Sequence, residues 1–252
     1  SASDIIAYEE IAKEHKDGKE VLKWAGELAK LSEFEIVDWI SAMVNAYEKA
    51  DRHNLLRENE IGLIYDLEEG NLQLALVKKE KEDIQLLAYK QIKKEKQKEY
   101  LEFEKLLEKD LEEYMKKEGL EALGFHGTNQ RDREAFEKLH QSAKQVRRQF
   151  VRNDEVTITF YNFIVSMSAK YPISNLEKCM KPLLEKNDEI LQSFLEEAGI
   201  SKTDIAKVYL AGEECEYPFV RRYIEGNMQK KTCIVSMSSC VAARGAVLQK
   251  KN

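Results

Sequence analysis

The feature that most restricts how this chain can fold is a change of hydrophobic period near residue 60. Before it, apolar residues recur at helical spacing. Val21, Leu22, Ala25, Leu28 and Ala29 form one stripe, and Ile36, Ile40, Val44 and Tyr47 form another, so the first fifty residues read as helix. A polar break at Asp51, Arg52, His53 and Asn54 follows, and then the pattern shortens. Ile61-Gly62-Leu63-Ile64-Tyr65 is an apolar run ended by Asp66, and Leu72, Leu74 and Leu76 alternate as a half-buried strand requires. A third strand at Ile84 to Tyr89 comes after a charged turn at residues 78–83. Strands with links this short read as an antiparallel meander.

Beyond the meander the chain returns to helix. Residues 90–98 are rich in Lys and Glu and read as a solvated helix or arm, while Phe103, Leu106, Leu107, Leu111 and Tyr114 mark an amphipathic helix. A break at residues 119–130 holds His126 in Gly-Phe-His-Gly, a surface turn more than a catalytic position. Phe136, Leu139, Ala143, Val146 and Phe150 share a helical face, and residues 156–160 alternate as a strand. Residues 176–198 predict a helix, with a kink or restart at Pro182 and a left-handed cap at Gly199. A strand at 206–210, a turn at Ala211-Gly212, a helix at 217–225, a short strand at 232–235 and a small-residue helix from Ser239 complete the pattern. Strands, an inserted helical piece, then more strand and helix make an α/β fold carrying an insertion.

Composition narrows the function classes. With 43% apolar and 34% charged residues among 252, the chain suits a helix-rich globular protein, and its net charge of −6 argues against general affinity for nucleic acid or anionic membrane. It contains no apolar run of about eighteen residues. Cys179, Cys215, Cys233 and Cys240 lack zinc-ligand spacing, so reduced thiols in a cytoplasmic protein are expected. The opening Ser-Ala-Ser, in place of Met, leads us to expect a natural protein that extends further at one or both ends.

Several segments, in order, resemble the actin-like ATPase domain of the seventy-kilodalton heat-shock chaperone family. Val208 through Ala211-Gly212-Glu213-Glu214 to Val220 stands where that family carries an apolar strand, Gly-Gly-Ser-Thr-Arg-Ile-Pro and a helix. Val241-Ala242-Ala243-Arg244-Gly245-Ala246-Val247 resembles its Ala-Val-Ala-x-Gly-Ala-Ala helix. Asp66-Leu67-Glu68-Glu69-Gly70-Asn71-Leu72-Gln73 occupies the place of Asp-Leu-Gly-Gly-Gly-Thr-Phe-Asp, and Val146-Arg147-Arg148-Gln149-Phe150 resembles Ala-Lys-Arg-Thr-Leu. Ala25 to Tyr47 is similar to the helical stretch bearing Asn-Glu-Pro-Thr-Ala. The matches run from about Lys19 to Gln249, and the first-lobe phosphate hairpin Asp-Leu-Gly-Thr-Thr has no counterpart. The resemblance implies the second lobe of the ATPase domain: residues 1–51 as helices closing the first lobe, 52–88 with 173–252 as the α/β core, and 89–172 as an inserted helical subdomain.

That family binds ATP or ADP with Mg, using glycines that let backbone N–H groups reach the phosphates and carboxylates that hold metal and water. By resemblance the nucleotide-binding positions are Asp66, Gly70, Asn71, Arg147, Arg148, Gly212 and Glu213. Glu68 and Glu69 replace two glycines. Pointed at a phosphate, each would repel it by about 4 kcal/mol at about 4 Å and an effective dielectric of about 20, and their β-carbons restrict backbone that glycine leaves open. Trp39 stands in place of the catalytic Glu, Asn71 of a Thr, Gln73 and Ser239 of two Asp residues, Lys144 of a ribose-binding Glu and Val151 of a Ser. Arg147 and Arg148 can stack on adenine, pair with Glu213, Glu214 and Glu216, or simply face solvent.

The expectation is a pseudo-ATPase with no catalytic residues and no metal ligands, acting as a protein-interaction scaffold. Co-chaperones or exchange factors would bind through 89–172, where abundant Lys and Glu suit charge-steered contacts. Two alternatives stay open at this point. One is an ATP-dependent chaperone whose first lobe completes the site; the other is an unrelated helical interaction protein lacking the meander.

Overall fold

The structure is a computed structural model, and it describes residues 6–8, 35–37, 39–81, 83–115, 117, 149–151, 153–161 and 166–234. Its centre is a mixed five-stranded sheet. Strands β3 (Ile61–Glu68), β4 (Asn71–Glu80) and β5 (Asp83–Ile92) form the expected antiparallel meander. Strand β8 (Ile205–Ala211) then pairs in parallel with β3, and β9 (Thr232–Cys233) with β8, giving the order β5-β4-β3-β8-β9.

Strands β3 and β4 are more deeply covered than a half-buried sheet, whereas β5 at the edge has no buried residue and exposes Leu86 and Leu87. One face carries Leu63, Tyr65, Leu67, Leu72, Leu74, Leu76, Val208 and Leu210 in the larger core. The other carries Ile64, Ala75, Val77, Tyr209 and Ala211. That second face is closed by helix α1 (Trp39–Ala50), which contributes Ile40, Met43, Val44 and Tyr47 at the expected helical spacing. The Tyr47 hydroxyl donates to the Leu210 carbonyl, tying α1 to β8. Each fully buried leucine contributes about 1.5–3 kcal/mol relative to exposure.

The opposite face is covered by α3 (Ile173–Ala198), α4 (Pro218–Met228) and α2 (Lys98–Met115). Helix α3 is continuous from Ile173 to Ala198 with Pro182 inside it, so no restart occurs there. Leu176, Met180, Leu183, Leu184, Leu191 and Leu195 form one buried stripe on both sides of it, while Pro182 and Lys178 lie on the exposed side. Lys178, whose carbonyl Pro182 cannot bond, is exposed, and packing of the stripe outweighs a proline cost of about 3 kcal/mol. Gly199 ends the helix at φ 67°, as expected, with its N–H bonded to Glu196 and that of Ile200 to Leu195.

Four further differences are physical in origin. Ile6–Tyr8 (β1) and Glu35–Val37 (β2) form a parallel pair, so Ile36 belongs to a strand and the first fifty residues are not helical throughout; its β-branched neighbourhood favours extended backbone. Strand β5 continues to Ile92 into the charged run, because Leu72, Gln73 and Leu74 of β4 offer it partners. Leu106 is exposed although it shares the spacing of buried Phe103, Leu107 and Leu111, whose stripe Tyr100 completes one turn earlier. A hairpin of β6 (Glu155–Tyr161) with β7 (Ser166–Pro172) supplies a strand the sequence reading missed. The stripes at 21–29 and 136–146, His126, Cys240 and the helix from Ser239 lie outside the described residues.

Polar contacts tie α2 to β7 and to the start of α3. Asp110 of α2 accepts from the Tyr171 hydroxyl and from Asn175 Nδ2 at 3.1 Å, and the Tyr114 hydroxyl donates to the Lys170 carbonyl.

Candidate functional site

Parallel pairing of β3 with β8 places their C-terminal ends side by side, the edge at which α/β sheets receive ligands. Asp66 faces Ala211 across that pair and Gln73 across the hairpin. Two turns leave this edge. The β3–β4 turn is a two-residue connection, with Glu69 at φ 46° and Gly70 at φ 79°. Both central residues lie in the left-handed region, as a type I′ hairpin turn demands. The β8–α4 turn opens at Gly212, φ 85°, and continues as a single turn of tight helix, Glu213–Glu216.

The turns press together. A β-carbon on Gly212 would fall 1.9 Å from the Leu67 carbonyl oxygen and 2.8 Å from Asp66 Oδ1, so only glycine permits this approach. A β-carbon on Gly70 would fall 2.3 Å from the ring of Tyr100. Asn71 holds the near side of the hairpin: its Nδ2 donates to the Glu68 carbonyl at 3.0 Å, and its Oδ1 accepts the Lys94 N–H at 3.0 Å. Gln73 Oε1 accepts from the Tyr89 hydroxyl at 2.9 Å.

The decisive contacts run from one turn to the other. The Glu213 N–H donates to Glu68 Oε2 at 2.6 Å, and the Glu69 N–H donates to Glu214 Oε2 at 3.0 Å. Each turn thus supplies one carboxylate and one donor to its opposite. Glu214 is 4% exposed, whereas Glu69 is exposed and Glu68 half-buried. Burial raises the Glu68 carboxyl above the ordinary glutamate value; the Glu213 N–H opposes this, and the charges of Glu213, Glu69 and Glu216 add to it. Cys215, fully buried beneath the turn, is held as a neutral thiol chiefly by burial and then by Asp66 and Glu214.

The family model described as Hsp70 protein matches residues 17–251 of the chain. The chain belongs to the Hsp70 family. Membership implies an actin-like ATPase fold, with which the α/β architecture and mixed sheet are compatible. It points to a chaperone-type nucleotide-binding domain, and Hsp70 proteins generally interact with proteins such as co-chaperones. No helix among the described residues is long and apolar enough to cross a membrane.

In this Hsp70 chain the expected site residues Asp66, Gly70, Asn71, Gly212 and Glu213 come together at one sheet edge. Arg147 and Arg148 lie outside the described residues, as do Lys144 and Ser239, and so does any pairing of those arginines with the glutamates. Trp39 is the first residue of α1, and Val151 packs at the edge of the larger core. Glu69 adopts the left-handed conformation despite its β-carbon. Sequence reasoning missed the structural part played by Glu68 and Glu214. The available signal was the Glu-Glu dipeptide repeated in both turns, Glu68-Glu69 and Glu213-Glu214. As arranged, the junction does not fit a phosphate, since two of its backbone donors already hold carboxylates.

Proposed function

We propose that this chain is the second lobe of an Hsp70-type ATPase domain, with residues 1–51 closing the first lobe, 52–88 and 173–252 forming the core and 89–172 the insertion. We further propose that it is a pseudo-ATPase working as a protein-interaction scaffold. The observation that carries this reading is the reciprocal capture of the Glu69 and Glu213 N–H groups by Glu214 and Glu68. A phosphate would have to displace both carboxylates and then sit among them. Replacement of the family's catalytic Glu by Trp39, and of Thr and Asp by Asn71 and Gln73, supports the loss of hydrolysis; the latter two side chains hold the hairpin instead. Helix α2 of the insertion presents exposed pairs, Lys98 with Glu102 and Lys109 with Glu113, which suit transient, charge-steered partners such as exchange factors.

A second reading, an ATP-dependent chaperone whose first lobe completes the site, is favoured by the retained carboxylate of Asp66 and the positive φ of Gly70 and Gly212. Calorimetric titration of Mg-ATP and Mg-ADP separates the two. No heat is expected from this chain or from a longer one carrying the first lobe. Saturable heat only with the first lobe present would establish the second reading. Failure of an immobilised chain to retain a lobe-binding exchange factor would remove the scaffold assignment.

A further inference from the structure

We propose that Glu68 and Glu214 are resident anions: their carboxylates fill a backbone N–H cradle and latch the β3–β4 turn to the β8–α4 turn. The closure that an oxyanion ligand would otherwise supply is thereby built into the chain. The inference rests on the pseudo-ATPase reading only in taking phosphate as the oxyanion to be tested.

Three features carry it. First, the contacts are reciprocal across 145 residues of sequence, so neither is a local turn bond. A carboxylate, like a phosphate, offers oxygens that accept charge-assisted bonds from N–H groups, and turns with left-handed backbone are where such donors converge. Second, the backbone beneath is fixed independently of the glutamates. The register of Asp66 with Ala211 aligns the strand ends, and the packing of Gly212 against Leu67 leaves no space for a side chain. That register and packing hold the strand ends beneath the turns in addition to the two glutamate bonds. Third, Glu68 stays bonded although Glu213, Glu69 and Glu216 bear on it with like charge. A glutamate in such surroundings would swing to solvent unless its N–H partner held it. Because both bonds join the same two turns, losing one loosens the other.

The test uses the whole 252-residue chain. In the wild type, the amides of Glu69 and Glu213 should exchange slowly with solvent and keep their NMR shifts when inorganic phosphate is added. Glu68→Ala should free the Glu213 amide, and Glu214→Ala the Glu69 amide, each then shifting with phosphate and not with sodium chloride at equal ionic strength. Each substitution should lower the unfolding midpoint by roughly 2 to 4 °C. The double variant should lose less than the sum, and phosphate should restore part of the loss. Fast exchange of both amides in the wild type, which needs no variant to fold, overturns the latch. So does a wild-type response to phosphate equal to that of the variants, strict additivity, or an E68A chain whose Glu213 amide ignores phosphate. The pseudo-ATPase reading fails separately: wild-type chain that binds Mg-ATP with both amides still protected refutes that reading and leaves the latch standing.

Discussion

Glu225 and Glu68 both accept a backbone N–H from a turn, and their surroundings are opposite. At the corner between α4 and β9, Glu225 Oε1 takes the Thr232 N–H at 3.0 Å, the Thr232 hydroxyl at 2.9 Å and Arg221 Nε at 3.1 Å. Burial works to raise its pKa, but these donors and the Arg221 charge overcome it and hold Glu225 below the ordinary value. At the junction of β3 and β8, Glu68 is raised by burial, relieved by the Glu213 N–H and raised again by three acidic neighbours. The corner is a cap that electrostatics rewards. The junction keeps the same motif against electrostatics, so its use is geometric: it joins two turns and occupies their donors.

Experiments that break the junction outright should give the largest effects. Gly212→Ala brings a β-carbon to 1.9 Å from a backbone oxygen at φ 85°, and Gly70→Ala drives one into Tyr100. We expect about 4 kcal/mol or more of lost stability from the first and about 3 kcal/mol from the second in urea unfolding. At the corner, Glu225→Ala removes an acceptor of three bonds and should cost about 2 kcal/mol by the same measurement. Glu68→Gln retains an acceptor oxygen while removing the repulsion, so a change within about 1 kcal/mol, neutral or stabilising, is expected. A loss as large as that at Glu225 would erase the contrast.

The finest discrimination is in pH. For Glu225 the folded pKa is depressed, so its stabilisation is present above the unfolded value near 4.5 and is lost as pH falls through the folded one. For Glu68 the folded pKa is raised, so the native state binds the extra proton between the two values. Its contribution is therefore full below about 4.5 and is lost as pH rises through the folded value. Denaturation curves taken from about pH 3 to about pH 7 should lose a rising limb in Glu225→Gln and a falling limb in Glu68→Gln.

Elements with a strong local signature were legible in the sequence. The alternation of Leu72, Leu74 and Leu76 specified β4, the stripe from Leu176 to Leu195 specified α3, and Gly199 its end. What escaped depended on partners far away in the chain. Strand β5 runs on to Ile92 because β4 lies beside it, and Ile36 is extended because Ile6–Tyr8 pairs with its segment. At the site, the family-like order of residues singled out Asp66, Gly70, Asn71, Gly212 and Glu213, and the parallel register of β3 with β8 brings their two segments together. The sequence reading allowed the glutamates to face a ligand or solvent. It had no means of seeing that each would find the other turn's N–H, since that bond joins residues 145 positions apart in sequence.

Glu69 sits at φ 46° with its backbone already in the shape a glycine would take. A single-base change separates a glutamate codon from a glycine codon, so replacement here would meet no conformational barrier and need no compensating mutation in the hairpin. Exchange of glutamate for glycine is thus, at this position, a change of side chain and not of backbone.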